Sequence, residues 1–167
     1  HALGKLLLYW GIPPQAVMGH SFGEYTAACV AGVFSLAEAL QLALLRGELM
    51  LRTPPGGMMS IPLPEEQLNH CLLSYPDISL AAVNSSSLCF VSGPPASLDH
   101  LEKDLQSKGI ESIRINFPRA AHSRMMRSIS GEFEKGVRKL KLREPTIPFL
   151  SCLSGDWAAP GEITDPN

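Results

Sequence analysis

The chain has 167 residues, 45% of them hydrophobic and 18% charged, with a net charge of −2. That length and balance suit one globular domain with a real core, and they exclude a disordered segment. The slight negative charge gives no reason to expect a nucleic acid or an anionic membrane as partner.

The apolar start, Ala2 to Trp10, is interrupted by Lys5 and is far too short to span a bilayer. Leu3, Leu6, Leu7 and Trp10 recur at helical spacing, and Gly11-Ile12-Pro13-Pro14 breaks that helix. Gln15 to Gly19 reads as a buried strand. It runs into Gly19-His20-Ser21-Phe22-Gly23-Glu24 and then a small-residue helix, Tyr25 to Ala31. Strand, sharp turn and helix are the context a G-x-S-x-G nucleophile elbow requires. Gly19 and Gly23 are expected to tolerate close approach and unusual dihedrals, and Ser21 to present its hydroxyl at a helix N-terminus. Gly32 is placed as the C′ glycine of that helix. Ser35-Leu36-Ala37-Glu38 has capping-box spacing and opens a helix to about Arg52, ended by Thr53-Pro54-Pro55-Gly56-Gly57.

The texture then changes. A strand from Met58 to Pro62 is followed by a helix opened by Pro64-Glu65-Glu66. Two strands come next, Ile78–Asn84 and Ser87–Gly93, then a helix after Pro95 stopped by Gly109, and a strand from Ile110 to Phe117. The order β-α-β-β-α-β is the ferredoxin-like unit. The chain thus reads as α/β. Residues 1–55 and 119–167 form a hydrolase-like large subdomain with a parallel sheet, and 56–118 an inserted ferredoxin-like α+β small subdomain. A helix from about Met125 to Leu140 and a strand from Ile147 to Leu153 complete it. The basic stretch Arg138 to Arg143 reads as a solvated helix end. Cys29, Cys71, Cys89 and Cys152 lack C-x-x-C or metal spacing, so no metal site and reduced, cytoplasmic thiols are expected. The chain begins at His1 and reads as a fragment lacking the N-terminal part of its domain.

With Gly19-His20-Ser21-Phe22-Gly23-Glu24-Tyr25, Arg46-Gly47-Glu48-Leu49-Met50, Ala82-Val83-Asn84-Ser85 and Ala121-His122-Ser123 in order, the chain resembles an acyltransferase domain of a modular type I polyketide synthase, of the malonyl-CoA:acyl carrier protein transacylase kind. The resemblance covers essentially the whole chain. It implies ping-pong transfer of a malonyl-type unit from coenzyme A to the phosphopantetheine thiol of an acyl carrier protein, with no permanently bound cofactor. It also implies neighbouring ketosynthase and other synthase domains, and no nucleic-acid or membrane partner.

Carried over residue by residue, the resemblance makes Ser21 the nucleophile and His122 its base, working as a dyad. A backbone carbonyl near Cys152 would orient the imidazole. The Phe22 N–H would receive the oxyanion. A second oxyanion donor, a glutamine near the start of such domains, has no counterpart here, so the fragment is expected to be impaired. Arg46 either snorkels from its helix or pairs with a substrate carboxylate, which malonyl groups carry; the resemblance implies the pairing. His20 either packs at the sheet edge or, as the resemblance implies, lines the acyl pocket with Phe22. The tetrad Arg119-Ala120-Ala121-His122 matches neither the His-Ala-Phe-His of malonyl-selective relatives nor the Tyr-Ala-Ser-His of methylmalonyl-selective ones. Ala121 widens the pocket, Phe22 argues for malonyl, and Arg119 is either a second cation for the substrate or a surface residue. Two other readings share the elbow: a serine hydrolase or editing enzyme, and a non-catalytic scaffold. A retained Arg46 favours transfer.

Overall fold

The computed structural model describes residues 1–166. Dense contacts gather the chain into two units, His1–Glu48 with the chain from Glu132 onward, and Leu49–Gly131.

In the first unit, helix α1 (Ala2–Tyr9) precedes strand β1 (Val17–Met18). β1 pairs in parallel with β6 (Phe149–Leu150), Val17 opposite Phe149 and Met18 opposite Leu150. Between them in sequence come α2 (Gly23–Val30), α3 (Leu36–Arg52) and α6 (Arg127–Val137), the last two crossing from one unit's residues to the other's. Ala27, Ala28, Ala31, Ala39 and Leu42 pack with Val33, Phe34 and Phe149 into the core. Four of these eight are alanines, and their small side chains let backbones approach closely where leucines would hold them apart. α1 contributes no buried residue, and its Leu3 and the following Trp10 are exposed.

The helix ends follow their sequence signals. Gly32, at φ 84°, closes α2 in a Schellman motif: its N–H donates to Cys29 O and that of Val33 to Ala28 O. Ser35 and Glu38 form the capping box, each donating its backbone N–H to the other's side chain, at 2.7 and 3.3 Å. The Ser35 bonds hold the Glu38 carboxyl below its ordinary range.

The second unit contains β2 (Gly57–Ile61), α4 (Glu65–Leu72), β3 (Ser79–Ser85), β4 (Leu88–Gly93), α5 (Pro95–Ser107) and β5 (Ile113–Ile115). Its sheet has the order β3-β4-β2-β5 with every neighbour antiparallel. That is the ferredoxin-like arrangement the element order predicts. Met59, Ile61, Cys89 and Val91 from the sheet meet Leu68 of α4 and Leu98, Leu101 and Leu105 of α5 in a core with almost no exposed surface. Spacings of three and four along α5 place its three leucines on one face.

This unit extends past the segment 56–118 expected of it, taking in the end of α3 and the return loop around residue 120. Packing gives the reason. Gly56 lies so close to the return loop that a Cβ there would sit 2.6 Å from Ala120 N, and Ala120 is fully buried. The helix expected from Met125 to Leu140 starts as a 3-10 turn, Arg124–Met126, and α6 ends at Val137. The basic stretch therefore follows the helix, with Arg138, Lys139, Lys141 and Arg143 exposed.

Gly32 provides a direct check. A Cβ there meets only the Thr146 side chain, at ordinary contact distance, so Gly32→Ala isolates the cost of its positive φ. The expected loss is about 1 kcal/mol, read as a lower urea midpoint with an unchanged slope.

Candidate active site

Ser21 sits between β1 and α2 at φ 53°, in the left-handed region that a residue with a Cβ rarely occupies. Two hydrogen bonds close the turn, Gly23 N–H to His20 O at 2.8 Å and Glu24 N–H to Ser21 O at 3.2 Å. They leave the Phe22 N–H, at the N-cap of α2, outside the turn's bonding. Gly19 makes the turn possible. A Cβ on it would lie 2.3 Å from the Glu24 backbone N, inside the first turn of α2.

Gly23 is different from what the motif suggests. Nothing lies within 4 Å of a Cβ placed there, and its φ is not in the left-handed region. It is simply the first residue of α2. The unusual dihedral expected of the flanking glycines belongs to the serine itself.

Arg46 reaches this turn from α3. Its Nη2 donates to Ser21 Oγ at 3.2 Å, and its guanidinium lies 4.9 Å from the centroid of the Phe22 ring and 6.0 Å from that of Tyr25. The guanidinium thus lies beside the Ser21 hydroxyl and the two aromatic rings. Ser21 is half-buried, while Phe22 and His20 are exposed. The His20 backbone carbonyl helps close the turn. Ser21, Phe22 and Arg46 are thus brought together within one unit.

His122 belongs to the other unit. It is the second and last non-glycine residue with a positive φ among those described, at 55°. The bonds on either side hold this backbone. Ser92, fully buried, donates Oγ to Ala121 O at 2.5 Å, and Ser123 donates Oγ to Ala120 O at 2.6 Å. Backbone strain of this kind costs about 1–3 kcal/mol and persists where surrounding structure imposes it, commonly at functional sites. Ala121 is buried at 6% exposure.

Arg119, which the sequence leaves as either a second cation for the substrate or a surface residue, bonds main-chain carbonyls. Its Nε donates to Met50 O at 2.9 Å, Nη2 to Leu51 O at 3.1 Å and Nη1 to Pro118 O at 2.7 Å. Two of these carbonyls belong to the last turn of α3, where a cation is favoured by the helix dipole. Its guanidinium therefore fastens the return loop to a helix end.

The sequence assigns no role of their own to two residues of the motif, Tyr25 and Glu24. Tyr25 is half-buried, and its ring lies 5.5 Å from that of Phe22 at 47°. Its position three residues after Phe22 on α2 was the available clue, since such pairs share a helix face. Glu24, in the first turn of α2, has a buried Oε1 with no hydrogen-bond partner among the described residues. Its carboxylate acts on Cys152. All four cysteines are free thiols. Although Cys152 as a residue is exposed, partial burial of its sulfur, and then the Glu24 carboxylate, push its thiol up to about 11.

The chain as a whole matches known proteins. The model of the acyl transferase domain family fits residues 1–165. The chain belongs to this family. The acyltransferase is 36% identical over 166 residues to a phenolphthiocerol/phthiocerol polyketide synthase of Mycobacterium tuberculosis, a match covering 99% of the chain and 11% of that protein. Among solved structures it is similar to the acyl transferase domain of ZmaA, with 45% identity and a TM-score of 0.87. That match covers 99% of this chain and 38% of that one. It is also similar to the acyl transferase domain of SpnD in complex with 2-(pent-4-yn-1-yl)malonyl, with 38% identity and a TM-score of 0.93, covering 99% and 40%. The chain thus spans about a tenth of the length of the curated relatives it matches, and it is homologous to the acyltransferase domains of modular polyketide synthases. None of its described helices is long and apolar enough to cross a membrane.

The Cys152 thiol tests the electrostatics of this site. Burial and a neighbouring negative charge both disfavour the thiolate, which is the reactive form. Iodoacetamide is therefore expected to modify Cys152 slowly at pH 8, with the rate rising towards pH 11. Glu24→Gln removes the charge, lowers the thiol pKa and shifts the rate profile to lower pH, followed by peptide mass mapping.

Proposed function

We propose that this acyltransferase moves a malonyl-type unit from coenzyme A to the phosphopantetheine thiol of an acyl carrier protein through an ester on Ser21. The observation that carries the reading is Arg46, whose Nη2 lies 3.2 Å from Ser21 Oγ. A fixed cation beside a nucleophile selects an acyl group that ends in a carboxylate, and a guanidinium can pair with both carboxylate oxygens. Hydrolysis of simple esters has no use for that charge.

In the first half-reaction Ser21 Oγ attacks the thioester carbonyl and its proton passes to the His122 imidazole. A serine hydroxyl near neutral pH needs such a base. Negative charge develops on the carbonyl oxygen, where the Phe22 N–H and the positive end of α2 stabilise it. Collapse breaks the C–S bond, and the proton held by His122 goes to the departing coenzyme A sulfur. In the second half-reaction the carrier's thiol gives its proton to His122 and attacks the seryl ester. Ser21 then recovers the proton as the acyl group leaves on sulfur. The left-handed backbone shared by Ser21 and His122 supports their pairing in these roles.

The reading prefers malonyl to methylmalonyl. Phe22 lies over the guanidinium that would hold the carboxylate, so its ring would crowd a branch beside that carboxylate. Ala121 is small and buried, and one methyl group is worth only about 1–3 kcal/mol of discrimination. The carrier and the neighbouring synthase domains belong to the same proposal, as does a cytoplasmic location.

Intact-mass analysis after brief incubation with malonyl-CoA tests it. The unaltered protein is expected to gain one malonyl group and Ser21→Ala none. His122→Ala should acylate roughly 10²–10⁴-fold more slowly, the usual worth of a general base. Arg46→Ala should lose about 10–100-fold in kcat/KM, as for one charge-assisted contact. Coenzyme A release without transfer to a carrier protein would point to a hydrolase.

A further inference from the structure

We propose that Tyr25 is a positioning residue that, with Phe22, forms an uncharged aromatic cradle holding the Arg46 guanidinium for the donor's carboxylate. The inference rests on the role given to Arg46 above.

A long arginine side chain loses much rotamer freedom when fixed, so a guanidinium that must meet a carboxylate at a fixed place needs support. The usual support is an acidic partner, yet the ion pairs found among the described residues include none to Arg46. Its neighbours are instead the Ser21 hydroxyl at 3.2 Å, the Phe22 ring at 4.9 Å and the Tyr25 ring at 6.0 Å. The two rings are tilted by 47° with centroids 5.5 Å apart, so they make two walls of a notch rather than one stack. Aromatic faces attract a guanidinium through their quadrupoles without neutralising it.

The Tyr25 hydroxyl is also coupled electrostatically to Arg46. Burial raises the phenol above its ordinary value, and both the charge of Arg46 and a side-chain hydrogen bond from it pull the other way. Tyr25 also packs against the alanine-rich core under α2, which fixes its ring to the element that carries the nucleophile. The cradle therefore moves as one piece with Ser21. An acidic residue in the same position would hold Arg46 as firmly and would compete with the malonyl carboxylate. An uncharged cradle holds the cation and leaves its charge for the substrate.

The expected effect is on discrimination between donors more than on acyl transfer as such. In the intact protein, kcat/KM is measured with malonyl-CoA and with acetyl-CoA, which lacks the carboxylate. Tyr25→Leu should lower the malonyl-to-acetyl ratio about tenfold and Tyr25→Phe about threefold, a cation–π contact and a hydrogen bond being worth that much. In an Arg46→Ala background Tyr25→Leu should change the ratio no further, because its effect runs through the guanidinium. Equal losses with both donors, an unchanged ratio in both variants, or additive losses in the double variant would each overturn the inference. Should Tyr25→Leu fail to fold, the ratio in Tyr25→Phe decides. An unaltered protein that forms no malonyl adduct would remove the role of Arg46, and this inference with it. An adduct with an unmoved ratio removes this inference alone.

Discussion

The active site depends on one steric condition, the near-collision of Gly19 with the first turn of α2. With 2.3 Å between a Cβ at that position and the Glu24 nitrogen, only glycine lets strand and helix meet at so sharp an angle. Because they meet there, Ser21 must take up the bend, and it does so in a backbone region that suits its side chain poorly. The Phe22 amide, the aromatic pair and the approach of Arg46 all follow from where α2 is forced to begin. The alanine-rich packing of α2 against Val33, Phe34 and Phe149 then supplies the stability that the bend costs.

Arg46 shows how the site separates holding from neutralising. Many arginines are fixed by a carboxylate, which satisfies their hydrogen bonds and cancels their field. Here the guanidinium lies among two rings and a hydroxyl, so most of its field stays available beside the serine. Ser21 and the Arg46 guanidinium are thereby held side by side at the start of α2. Acidic Glu24, nearby in sequence, directs its charge to Cys152 instead.

Much of this was legible in the sequence because the signals are local. Gly32, the Ser35–Glu38 box and the leucine spacing of α5 each specify a helix end or face within a few residues. The β-α-β-β-α-β order fixes the antiparallel sheet because such units admit few topologies. The G-x-S-x-G spacing located the bend, but it did not say which residue would carry the strain. Gly23 looks like a second obligatory glycine and has open space around it. The roles of Tyr25, Cys152 and Arg119 were less visible, because each depends on contacts from distant parts of the chain. Arg119 reads as either a second cation for the substrate or a surface residue, and only the fold reveals the Met50 and Leu51 carbonyls that take it up.

That arginine bears on how the selectivity of such domains is altered. The four residues ending at His122, the tetrad that the resemblance ties to donor choice, invite exchange. In this chain the first of the four is an anchor, tying the loop to the end of α3 through two main-chain oxygens. A graft that writes histidine or tyrosine at position 119 removes those bonds and unfastens the loop that carries His122. A less stable or less ordered loop in such a graft would then reflect the lost anchor, whatever the new side chains were meant to do.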